Sequence, residues 1–238
     1  MKVIVLASRK GGSGKTTLAG HLAVQAERSG MGPVALIDTD PQGSLAEWWN
    51  KRAAPTPVFV HTTIAELPAD VERLRDMDIG LLIIDTPPAL NAMVRDVVAL
   101  SDLVVIPSRP SPHDLRSIGG TVDLVEHLGK PLIFILNGAA PRARITTEAI
   151  TILSQHGMLA PVIVHQRVDF AASMIDGRTV MELPGSSRSA EEIAGLWSYL
   201  ANRLKGNARP RPLPMPPDVP RVPRPLAVAG GAGPVDLG

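Results

Sequence analysis

Short runs of aliphatic residues, each followed by a longer stretch with helical spacing, constrain this chain more than any other feature. Residues 3–7, 34–37, 81–84, 103–106 and 132–136 are apolar at every position. A strand with one wet face alternates polar and apolar residues; a strand apolar throughout must be covered on both faces. The spacing predicts further strands at 58–61 and 162–164. Helices are predicted at 15–28, 44–51, 63–75, 91–100, 115–128, 146–156 and 191–204. Strand and helix in turn give an α/β, doubly wound, mostly parallel sheet with helices on both faces. Such sheets bind ligands beyond the carboxyl ends of their strands. Apolar residues are 45% of the chain but aromatics only 3%, so the core must be built from Val, Ile, Leu, Ala and Met.

The stretch Lys10-Gly11-Gly12-Ser13-Gly14-Lys15-Thr16-Thr17 lies between the first predicted strand and the first predicted helix. Glycines let backbone amides turn inward around a phosphate chain. The helix that follows points free amides and its positive dipole end at the same place. Lys15 supplies a charge for the terminal phosphates, and Thr16 a hydroxyl for Mg²⁺. The ordinary loop pattern has a glycine at position 9; this chain has Arg9 there, and a second lysine, Lys10, begins the loop. The segment resembles the deviant phosphate loop of the ParA/MinD family of P-loop ATPases. That resemblance implies an ATP site formed by Gly11, Gly12, Ser13, Gly14, Lys15, Thr16 and Thr17. It also implies that Lys10 reaches across a dimer interface to the partner's nucleotide. Spacing alone puts Lys10 beside the phosphates.

Two more segments end strands in carboxylates. In Asp38-Thr39-Asp40-Pro41-Gln42-Gly43 the acids are two apart, so an extended backbone turns both to one side. Taken alone this reads equally as an acidic turn; it also resembles the first switch of ParA-like proteins. The resemblance implies that Asp40 positions the attacking water and that Asp38 belongs to the Mg²⁺ shell. The run 81–84 ends in Asp85, the Walker-B arrangement of a carboxylate holding a metal-bound water. Thr86-Pro87-Pro88 resembles the second switch.

Weaker likenesses choose among relatives. The segment 106–115 resembles the proline-rich stretch of small plasmid-partition proteins; it reads equally as a rigid loop with Asp114 capping the next helix. By the same resemblance Asn137 contacts adenine, with a cap or turn as the alternative. Segment 165–178 resembles the partition-protein stretch after the seventh strand. That implies non-specific DNA contacts among Arg142, Arg144, Arg167, Arg178, Arg203 and Lys205, each of which also reads as a solvated charge. Trp48 and Trp49 read as packing or interface residues.

The chain has no cysteine, hence no disulfide and no thiolate metal site, and the iron–sulfur branch that shares this loop is excluded. Net charge is +1, so no global field marks a polyanion partner. No apolar run reaches the ~18 residues that span a bilayer, and no signal peptide opens the chain. The expected setting is cytoplasmic and, by resemblance, nucleoid-associated. The expected organisation is an ATPase domain over 1–206 and a disordered proline-rich tail over 207–238, with four Arg against two Asp. That tail offers no basic amphipathic helix for a membrane anchor and reads equally as inert or as an interaction segment. The expected function is an ATP-dependent homodimer that binds DNA and segregates plasmid or chromosome cargo with a ParB-like adaptor. Two alternatives are a MinD-like or orphan ATPase that positions a protein complex, and a small-molecule ligase of the dethiobiotin synthetase kind.

Overall fold

The computed structural model describes residues 1–185 and 187–206. The proline-rich tail expected over 207–238 lies outside the described residues. Elements run β1 (Lys2–Leu6), α1 (Lys15–Arg28), β2 (Val34–Asp38), α2 (Ser44–Asn50), β3 (Val58–Phe59), α3 (Leu67–Asp76), β4 (Leu81–Asp85), α4 (Ala92–Ala99), β5 (Leu103–Ser108), α5 (Pro112–His127), β6 (Leu132–Ala139), α6 (Arg144–His156), β7 (Met158–Leu159), β8 (Val164–His165), α7 (Val168–Met174), a 3₁₀ turn (Val180–Glu182) and α8 (Arg188–Leu204). The sheet has the order β3-β2-β4-β1-β5-β6-β7, with β8 also on β6. Its pairings are parallel.

Successive residues of each strand feed opposite cores. Ile4, Leu6, Leu36, Ile83 and Val105 pack under α1 and α8. Val3, Val5, Ile37, Ile84 and Ile106 pack against the opposite layer, which α3, α4, α5 and α6 cover. Every residue of β4 and β5 is buried, as wholly apolar runs require.

Boundaries moved where capping overrode periodicity. Helix α5 starts at Pro112 because the Ser111 side chain accepts the Asp114 amide, so Ser111, not Asp114, is the cap. Asp114 sits in the first turn and its carboxylate takes the Ser111 hydroxyl. Ser187 likewise starts α8 three residues before the predicted point. The helix expected from residue 63 starts at Leu67, because a turn closed by Thr63 and Glu66 precedes it. The strand expected at 162–164 is β8, and β7 and α7 were not anticipated. Both are short, and a two-residue strand leaves no period to read.

Candidate functional site

The phosphate loop joins β1 to α1, as its position in the sequence requires. Gly12 and Gly14 have φ of 72° and 99°, a backbone that L side chains resist. Gly14 is the N-cap of α1, contributes no side-chain cap, and no acidic residue follows in the first turn. The first amides of a 14-residue helix are thus left without a side-chain cap or a carboxylate. That is the state in which a helix N-terminus accepts a phosphate.

Register brings the acids to this loop. Across the adjacent strands β1, β4 and β2, Leu6 pairs with Asp85 and Asp85 with Asp38. The Thr16 hydroxyl donates to Asp85 Oδ2 at 2.5 Å. Thr39 donates its amide and its hydroxyl to the Asp85 carbonyl, and the Thr86 hydroxyl donates to the Leu6 carbonyl. The first switch, the second switch and the loop are therefore laced across one row of strand ends. Pro88 lies against Gly11.

Asp85 is 1% exposed, and its Oδ1 is buried without a hydrogen-bond partner. Burial pushes its carboxyl up to about 7; the Thr16 hydrogen bond opposes this and the neighbouring Asp38 charge adds to it. An orphaned buried polar atom costs on the order of 1–3 kcal/mol. A Mg²⁺-bound water would relieve it, and the hard oxygens of Thr16 and Asp85 suit that cation. Among the described residues no group of three or more His, Asp or Glu side chains forms a metal cage. Mg²⁺ typically completes its shell with water and substrate phosphates. Burial lowers the Lys15 ammonium from its ordinary value, against the pull of Asp85 and Asp40.

The two acids of the first switch differ. Asp38 accepts the amide of Asp40 on one oxygen and those of Leu45 and Ala46 on the other, so it caps α2. Burial still raises its carboxyl above the ordinary range. Asp40 is half-buried and accepts the Gln42 amide through Oδ1.

Asn137, at the carboxyl end of β6, reaches the loop from the other side. Its Nδ2 donates to the Ser13 carbonyl at 2.7 Å, and a Cβ on Gly14 would overlap its amide. It braces the loop, with Oδ1 left as an acceptor. Lys10 is exposed at the loop's start, and its amide is held by the Ser8 hydroxyl.

The six basic residues are carried by the segments after β6, β8 and α7 and by the end of α8. Arg142 and Arg144 follow the carboxyl end of β6, and Arg167 follows β8, tied to Glu192 at the start of α8. Arg203 and Lys205 lie at the other end of α8, where Lys205 lines a groove with Gln25 and Ser29 from the end of α1. Arg178 pairs with Asp176, and its carbonyl takes the Trp48 indole. Trp48 and Trp49 are packing residues: Trp48 is buried, and the Trp49 indole donates to the Pro57 carbonyl.

Sequence reasoning missed His21, which is fully buried one turn after Thr17. Its Nδ1 bonds the Thr17 carbonyl at 2.8 Å, and its Nε2 accepts the Val180 amide. This fixes a neutral tautomer with Nδ1 protonated. The i, i+4 spacing from Thr17 was the available signal. Burial lowers its pKa to about 4 from an ordinary 6.5. A base lowered in the folded state contributes stability that is lost as pH falls through its unfolded value. Between neutrality and about pH 5.5 the expected loss is about 1 kcal/mol. Denaturant midpoints at the two pH values, in this chain and in His21→Gln, measure it; the variant should lose that part of the slope.

The geometry has known counterparts. Residues 4–180 match the CobQ/CobB/MinD/ParA nucleotide binding domain. Over 200 residues the chain is 29% identical to the maintenance of carboxysome distribution protein A of Halothiobacillus neapolitanus, covering 79% of this chain and 91% of that one. It is 28% identical over 186 residues to the chromosome-partitioning ATPase Soj of Thermus thermophilus, covering 66% and 72%. A solved ATP complex of Cyanothece McdA superposes with a TM-score of 0.70 over 89% of this chain and 99% of that one, at 18% identity. With a family match across the sheet and a loop, Asp85 and first switch in register, the chain belongs to the ParA/MinD family of P-loop ATPases.

Proposed function

We propose that this chain is a Mg²⁺-dependent ATPase that cycles between monomer and ATP-bridged dimer to position a protein assembly. The observation that carries the chemistry is the Thr16–Asp85 contact beside Lys15, with one Asp85 oxygen still unpartnered. Thr16 and Asp85 would hold the metal, with Asp38 behind them fixing α2. Gly11, Gly12, Ser13, Gly14, Lys15 and Thr17 would hold the phosphates, and Asn137 Oδ1 would accept the adenine amine. Asp40, the carboxylate of the pair with fewer backbone bonds, would orient the water, and Lys10 would complete the partner's site. Phosphoryl transfer asks for positioning and charge neutralisation, which this set supplies.

The likeness to a carboxysome distribution protein over 91% of its length favours a protein assembly as cargo, reached through an adaptor. Asp40→Ala should lower ATP turnover about 100-fold while an ATP-bound dimer persists. Phosphate release and sedimentation measure the two; unchanged turnover would remove Asp40 from its role.

Segregation of plasmid or chromosome on non-specific DNA is the second reading, favoured by the likeness to Soj. It would assign the DNA contacts to Arg142, Arg144, Arg167, Arg178, Arg203 and Lys205, on the segments after β6, β8 and α7 and at the end of α8. DNA binding in ATP and in ADP, at low and raised salt, separates the two. Salt-sensitive binding in ATP alone supports a nucleoid track; no binding in either state leaves the protein-assembly reading without one.

A further inference from the structure

Helix α7 turns Phe170 and Ser173 inward and presents Val168, Ala171, Ala172 and Ile175 to solvent. These follow the i, i+3, i+4, i+7 spacing of a single helix stripe. Val168 is 81% exposed and Ile175 73%, the two most exposed large hydrophobic side chains among the described residues. Ion pairs stand at both ends, Arg167–Glu192 before the first turn and Asp176–Arg178 after the last. An apolar centre with a polar rim is interface anatomy.

The order along the stripe is large, small, small, large, which is its own complement about a two-fold axis. With two such helices antiparallel, Val168 of one protomer meets the partner's Ile175 and the alanines meet in the middle. Small residues there let the axes approach to the near end of the usual ~8–10 Å. We propose that the α7 faces of two ATP-bound copies pair in this way.

Four side chains on two turns fall far short of the ~800 Å² per partner of a stable interface. The pairing therefore adds to an association held elsewhere, and it rests on the ATP-dependent dimer proposed above. The inner side of α7 ties it to the nucleotide. The Phe170 ring stands edge-on to His21 at 5.3 Å, and His21 is bonded to the carbonyl of Thr17 in the phosphate loop.

A chain without cysteine makes the test direct. Ala171→Cys and Ala172→Cys are made separately in the full chain, with Met77→Cys, exposed on a distant loop, as control. Residues flanking a two-fold meet their own copies within disulfide reach, Cα atoms under ~7 Å apart. Under mild oxidation with a non-hydrolysable ATP analogue, an α7 cysteine should form the disulfide-linked dimer at least about tenfold faster than in ADP, through the raised effective concentration. The control should not. Equal rates in both nucleotides would report random collision and overturn the pairing. A dimeric sedimentation mass in the analogue without cross-linking above the control would overturn the pairing alone. A monomer in both nucleotides would overturn the pairing and the dimer cycle together.

Discussion

Lys15→Gln is expected to lower ATP turnover by about 100-fold or more, the usual effect of deleting a fixed charge that faces the transferring phosphate. Nucleotide affinity should fall about 10- to 100-fold, which corresponds to the ~1.5–3 kcal/mol of a charged hydrogen bond. The physical reason is local. Lys15 is 6% exposed, and burial lowers its pKa even with Asp85 and Asp40 as neighbours. A triphosphate would add the negative charge that offsets this burial. The fold should survive, because glutamine keeps most of the stem and removes a buried charge. Calorimetric binding with Mg²⁺, a phosphate-release assay and a thermal melt separate the effects. A variant that binds and turns over as the parent does would remove this loop as the nucleotide site.

The loop and Asp85 were legible in the sequence because each carries its own context: a glycine-rich turn between strand and helix, and an acid closing an apolar run. Register was not legible. Nothing in residues 34–38 or 81–85 says that Asp38 and Asp85 stand side by side, yet that pairing helps raise the Asp85 pKa. The separate duties of Asp38 and Asp40 depend on Gly43, at φ 63°, turning the amides of α2 back toward Asp38. Long-range partners were equally hidden. Asn137 meets Ser13, and His21 meets Val180, across sequence separations that periodicity cannot bridge. Helix α7 escaped because it is seven residues long and puts a serine on its buried face and apolar side chains on its exposed one, the reverse of the usual pattern. The resemblance names six basic residues for DNA, and their spacing in sequence says nothing of where the fold puts them. Arg167 is tied to Glu192, and the helix rise from Glu192 to Lys205 along α8 is about 20 Å at 1.5 Å per residue.

Arg52→Ala is expected to cost the most stability of any single change to a charged side chain outside the nucleotide site. The Arg52 side chain is 2% exposed and forks onto both oxygens of Glu182 at 2.9 and 3.0 Å. It also donates to the carbonyls of Gly177 and Thr56, and its guanidinium lies over the Trp48 ring. Glu182 in turn closes the 3₁₀ turn by accepting from the amide and hydroxyl of Thr179. Removing one partner of a buried pair leaves the other uncompensated, at about 3–5 kcal/mol. For a domain of this size that is a fall in melting temperature on the order of 10 °C. Arg52→Lys should recover little, because one ammonium cannot fork onto a carboxylate and lie flat on an indole. The damage should also reach the nucleotide. Arg52 follows the helix that Asp38 caps, and Val180 in the same turn donates to His21 behind the phosphate loop. ATP affinity is therefore expected to fall with stability in Arg52→Ala, whereas Lys15→Gln should lose affinity and keep its melting temperature. A melt and a titration on both variants measure this. Arg52→Ala with unchanged stability would mean that the pair contributes nothing beyond solvated charges.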